Sequence, residues 1–186
     1  MENVLLQIKD RVGFRDWLKE HSSSEKECFV VVKKGRPIDE GHLWYLDAVE
    51  EALCFGWIDS TQKRENGILL QRFSPRKRKS LWTELNKERV RRLERLGLMT
   101  DAGRAVLPSM EECLPDPLVV NALKEAKVWD TFLTFPPLYQ RIRIYNVAFY
   151  RKRDTHAYLR ALDHLIEETR VGRLFGEWND YGRLSE

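Results

Sequence analysis

At 186 residues and 22.1 kDa the chain has room for one domain, or one domain with a small appendage, and not for two large ones. Its 42% hydrophobic and 11% aromatic content can bury a core despite 33% charged residues, which excludes an intrinsically disordered chain. The net charge of +3 is unevenly spread: residues 1–60 hold 8 Lys+Arg against 12 Asp+Glu, residues 61–110 hold 13 against 5, and residues 111–186 hold 11 against 12.

In chain order, Met1-Glu2-Asn3 opens without the basic and long apolar regions of a secretory signal, and no apolar run approaches the roughly 20 residues of a membrane span. A cytoplasmic protein is expected. Arg11 to His21 places Val12, Phe14, Trp17 and Leu18 at helical spacing, and Ser22-Ser23-Ser24 ends that pattern. Cys28 to Lys34 is β-branched and aromatic and stops at Gly35-Arg36-Pro37, so it reads as a strand. A second helix is expected from His42 to Phe55, with Leu43, Leu46, Val49, Ala52 and Leu53 on one face and Gly56 as its stop. Trp57 to Arg64 and Ile68 to Phe73 flank Glu65-Asn66-Gly67, and Asn-Gly between two β-capable runs predicts a hairpin.

The basic run from Arg72 to Trp82 follows, bracketed by aromatics and hydroxyls. Beyond Ser80 the pattern is helical: Trp82, Leu85, Leu93 and Leu96 share a face, Thr83 is the N-cap and Gly97 ends the run. Thr100 to Leu107 predicts a short helix before Pro108. Cys113-Leu114-Pro115-Asp116-Pro117 marks a boundary between an α+β domain over 1–112 and a helical subdomain over 113–186. Within the latter, helices are expected over Leu118–Val128, Tyr139–Tyr150 and Asp154–Phe175. The fold class is therefore α+β, a small antiparallel sheet with a hairpin packed by helices and then a helical C-terminal region.

Strong enzymatic signatures are absent: no Gly-x-Ser-x-Gly, no phosphate-binding glycine loop and no His-Glu-x-x-His occurs. His21, His42, His156 and His164 are scattered, so no metal and no cofactor is indicated. The three cysteines, Cys28, Cys54 and Cys113, are expected to be reduced thiols. Asp47, Glu50 and Glu51 gather carboxylates near the end of one helix, the raw material of acid–base catalysis and also an ordinary helix surface. A more specific constellation joins Gly56-Trp57-Ile58-Asp59-Ser60 to Pro75-Arg76 and Ser80-Leu81-Trp82. There, aromatic and polar side chains fall at element ends, where free backbone N–H groups favour anions.

The run Tyr45-Leu46-Asp47-Ala48-Val49-Glu50-Glu51-Ala52-Leu53-Cys54-Phe55-Gly56-Trp57-Ile58-Asp59-Ser60 continues the pattern, with Phe73-Ser74-Pro75-Arg76, Ser80-Leu81-Trp82, Asn86-Lys87-Glu88-Arg89 and Gly97-Leu98-Met99-Thr100. Together these resemble the YdeI/OmpD-associated, or bacteriocin-protection, family over residues 11–107. The resemblance implies a role in stress or antimicrobial protection and no particular reaction. The ending Gly176-Glu177-Trp178-Asn179-Asp180-Tyr181-Gly182-Arg183-Leu184 is similar to that of a subgroup labelled thymidylate synthase. Such an enzyme's nucleophilic Cys follows a Pro, whereas Cys28, Cys54 and Cys113 follow Glu27, Leu53 and Glu112.

The resulting expectation is a non-catalytic protein with Trp57, Asp59, Arg76, Ser80, Trp82 and Asn86 as ligand-binding residues for a small anionic ligand or a partner segment. Two alternatives stand beside it. One is a nucleic-acid-binding module acting through the basic 72–95 segment, and the other is a carboxylate-dependent enzyme using Glu50 and Asp59.

Overall fold

A computed structural model describes residues 5–38, 41–77, 80–111 and 113–185. Met1-Glu2-Asn3, together with Arg78 and Lys79 of the basic run, lies outside the described residues. The chain divides into two compact units. The first comprises residues 1–81 and 89–109, the second residues 82–88 and 110–186.

The first unit is an α+β layer. Its elements are β1 (Leu5–Leu6), α1 (Arg11–His21), β2 (Cys28–Val31), α2 (Tyr45–Cys54), β3 (Trp57–Glu65) and β4 (Ile68–Pro75). The larger part of α3 (Glu84–Arg95) and the short α4 (Asp101–Arg104) complete it. The sheet order is β1-β2-β4-β3, with β1 parallel to β2 and the other pairs antiparallel. The hairpin forms at the expected dipeptide, with Glu65 facing Ile68 and φ of 49° at Asn66 and 80° at Gly67. Two successive positive φ values suit the twist of the flanking strands.

Phe14 and Leu18 of α1 are fully buried, and the Phe14 ring packs 5.3 Å from Phe73 of β4, centroid to centroid. From α2, Leu46, Val49 and Leu53 are buried, joined in this unit's core by Val90 and Leu93. Gly103 of α4 lies so close to the end of α2 that an added Cβ would sit 2.2 Å from the Cys54 carbonyl oxygen. That contact requires glycine.

The second helix begins at Tyr45, three residues later than the periodicity predicts. The Lys33 amide donates to the Leu43 carbonyl and the Tyr45 amide to the Lys33 carbonyl, both at 2.9 Å, so residues 43–45 are held extended beside the end of β2. Tertiary hydrogen bonds thus override a local helical pattern.

The second unit is helical, built from α5 (Pro117–Glu125), α6 (Trp129–Leu133), α7 (Pro137–Tyr150) and α8 (Thr155–Arg170), with the first residues of α3. Asp116 caps α5 and Asp154 caps α8, each accepting from backbone amides of the first turn. The expected continuation of α8 to Phe175 does not occur. Arg173 N–H closes onto the Glu168 carbonyl at 2.8 Å and Gly172 adopts φ of 66°, which ends the helix and turns Phe175 back over the core. That core contains Val119, Leu123, Phe132, Phe135, Tyr139, Val147 and Leu165. Tyr139 is its hub, meeting Phe135 edge-on at 5.3 Å and Trp178 at 5.7 Å. Among the described residues, no helix is long and apolar enough to cross a membrane.

Candidate functional site

Four of the six expected site residues fall in the first unit: Trp57, Asp59, Arg76 and Ser80. The turn after α2 and the end of β4 do converge, because the Arg76 amide donates to the Gly56 carbonyl at 2.8 Å and Trp57 pairs with Pro75. Asp59 accepts a 2.6 Å hydrogen bond from the Tyr45 hydroxyl. Arg76 is only 6% exposed, and its guanidinium donates to the Leu81 carbonyl at 3.2 Å. Burial pulls the Arg76 pKa down to about 10, opposed by the charge of Asp59, so the side chain is a cation at neutral pH. Ser80 is half-buried, its amide donating to Lys77 O.

Trp57 corrects the expectation. It is 1% exposed, its ring meets Trp17 edge-on at 5.8 Å, and its indole N–H donates to the Ser22 carbonyl at 3.3 Å. Its aromatic surface is spent on the core, not on a recess. Trp82 and Asn86 belong to the second unit. Trp82 is 8% exposed, and the backbone N–H of the half-buried Asn86 donates to the Thr83 side-chain oxygen at 3.1 Å, the helix cap expected there.

The carboxylates of α2 are neither free nor exposed. Glu50 and Glu51 are fully buried inside an arginine cluster drawn from α1 and α3. Arg11 reaches both, with Nη1 to Glu50 at 2.6 Å and Nε to Glu51 at 2.5 Å; Arg15 holds the other oxygen of Glu51 at 2.6 Å, and Arg92 lies 3.2 Å from Glu50. Burial alone would lower the Arg11 pKa, but the charges of Glu51 and Glu50 and their hydrogen bonds hold it above its ordinary value. Carboxylates compensated in this way are structural acceptors, already used by cations from other elements.

Much of the basic segment is likewise occupied within the chain. Arg72 pairs with Glu27 at 2.6 Å, Lys87 with Glu84 at 3.0 Å, and Arg104 with Glu94 at 2.8 Å. Of the basic residues in 61–110, Arg72 and Arg92 pair with carboxylates outside that segment, Glu27 and Glu50, and these pairs offset part of its charge excess.

A further feature with binding character lies in the second unit and was not anticipated from sequence. A groove of about 790 Å³ is bounded by the 113–117 segment, α6 and α7. Leu114, Trp129, Leu133, Ile144, Ala148 and Phe149 make its lining mostly apolar, and Cys113, Asp116, Gln140, Arg141 and Tyr145 supply its polar atoms. Several of those polar groups already have partners. Asp116 pairs with Arg151 at 2.6 Å, Arg141 with Glu88 at 3.3 Å, and the Gln140 amide donates to the Leu133 and Phe135 carbonyls. Burial pushes the Tyr145 phenol above its ordinary pKa, with Cys113 and Glu84 acting in the same direction and Arg153 against them. Cys113 is an exposed free thiol, whereas burial raises Cys28 and Cys54 to about 12, with nearby glutamates adding to the shift. The two buried thiols are therefore inert at neutral pH. Leu114 and Leu133 of the lining are exposed, but nothing in the sequence sets them apart from other apolar residues.

Among the described residues, no group of three or more His, Cys, Asp or Glu is arranged to hold a metal ion. A family model described as "Domain of unknown function (DUF8412)" matches residues 6–106, more than half of the chain, and the chain belongs to that family. No curated protein and no solved structure matches it. The groove residues lie beyond the matched segment.

Proposed function

We propose that this member of the family is a binding protein that holds a small, largely apolar ligand in the groove of its helical unit without transforming it. One observation carries the reading: a cavity of about 790 Å³ with a mainly aliphatic and aromatic lining and few polar groups. Small-molecule sites have this character, at about 300–1,000 Å³. Free cysteines, two of them buried, support a reducing compartment and hence a cytoplasmic setting. The similarity of residues 11–107 to the YdeI/OmpD-associated family adds a proposed physiological context, protection against bacteriocins or other antimicrobial stress. In that setting a ligand-binding protein would sequester or sense an apolar molecule.

Cys113 supplies the test, because it is the exposed thiol of the three and lies in the groove lining. Nile red, a neutral apolar dye, is expected to bind saturably at one site and to slow maleimide modification of Cys113 several-fold. Ala148→Trp fills the groove and is expected to abolish both effects, and Leu133→Glu, at a half-exposed position, is expected to weaken them. Dye binding that survives both substitutions, or a Cys113 rate indifferent to the dye, would refute the reading.

A further inference from the structure

Beside the groove, some charges are paired and others rest on aromatic rings. Asp116 and Arg151 neutralise each other at 2.6 Å, as do Glu88 and Arg141 at 3.3 Å. Two further cations sit directly on groove-lining rings. The Arg153 guanidinium lies 3.8 Å from the centroid of Phe149, and the Lys124 ammonium lies 5.6 Å from that of Trp129. Neither has a carboxylate partner among the described residues. A cation resting on a ring face keeps its outward N–H bonds available to an anion. The end of α7 favours positive charge through its free carbonyls, but that preference does not account for Arg153 being laid against a ring that forms the groove wall. Arg153 is also near enough to Tyr145, another lining residue, to act on its phenol.

We propose that the groove's ligand is an anionic amphiphile of the long-chain carboxylate class, its tail along Ile144, Ala148 and Leu133 and its head group at Arg153. This assignment rests on the groove reading above and narrows it to one chemistry. The apolar lining supplies affinity in proportion to chain length, and the guanidinium supplies two parallel N–H donors matched to a carboxylate. Lys124, on Trp129, places a second positive charge against another lining ring.

The experiment compares saturated alkanoates of eight to fourteen carbons with the n-alkanols of equal length, by isothermal titration below their micelle or solubility limits. Affinity is expected to rise by about fourfold per methylene in both series until the groove is filled. Alkanoates are expected to bind about tenfold tighter than alkanols of equal length, the effect of one charge-assisted contact. Arg153→Gln is expected to erase that tenfold advantage and leave alkanol affinity within about twofold. Equal affinity for the two classes in the unmodified protein, or an alkanoate advantage that persists in Arg153→Gln, overturns the carboxylate assignment while leaving the groove in place. Failure of both series to bind, with Nile red also excluded, overturns the groove itself.

Discussion

The two units use their charges in opposite ways. In the α+β unit, cations from α1 and α3 close around the buried carboxylates of α2, so that Glu50 and Glu51 are consumed by structure. In the helical unit, Arg153 and Lys124 are laid on aromatic rings at a groove and left without carboxylate partners among the described residues. A cluster of ionisable residues is thus poor evidence of a site when its members satisfy one another. A modest pair of cations beside an apolar cavity is better evidence, because no carboxylate among the described residues pairs with them.

That contrast can be broken most directly at Arg11. Its replacement by Ala strips a partner from both buried carboxylates and is expected to destabilise the protein by about 3 kcal/mol in urea unfolding, the effect of leaving a buried charge uncompensated. A loss below about 1 kcal/mol would mean that Arg15 and Arg92 suffice and that the network is not cooperative.

The buried thiols give the next effect, and its sign is fixed by burial. Cys28 is held at about 12 when folded and has an ordinary value of 9.0, so the unfolded chain loses this proton first as pH rises. Stability linked to Cys28 is complete below pH 9 and is lost between there and about pH 12, by about 1.4 kcal/mol per pH unit. Cys28→Ala is expected to show a shallower fall in unfolding free energy between pH 8 and pH 10 than the unmodified chain. Parallel curves would show that the thiol is more hydrated than its burial implies.

Smallest of all is the expected stability change for Arg153→Gln, within about 0.5 kcal/mol, as for an exposed residue outside the packed core. Thermal unfolding checks it. A large destabilisation would place Arg153 with Arg11 as a structural cation and remove the distinction between the units.

Particular residues show why some of this architecture can be read from sequence and some cannot. Asn66-Gly67 specifies a hairpin because positive φ at two adjacent residues is a local property of those side chains. Thr100 and Asp154 cap helices for an equally local reason, through contacts three residues away. The 43–45 segment departs from its helical pattern because its amides and carbonyls find partners ten or so residues earlier in the chain. Trp57 is ambiguous in sequence, since an aromatic at an element end suits a core and a recess equally well. Only Trp17 and the Ser22 carbonyl, brought from α1 and the turn after it, decide between them.

By itself, then, the order of residues determined the α+β class, the hairpin, most helices and the concentration of positive charge in residues 61–110. These depend on periodicity, turn geometry and composition, which act over a few residues. Tertiary structure alone decided which charges are spent and where a cavity opens. Glu50 meets Arg11 and Arg92 across 39 and 42 residues, and the groove is assembled from a proline-rich segment and two helices whose apolar residues look like any others in sequence. Coulombic pairing and the void left between packed helices depend on distances in space, which no short stretch of sequence contains.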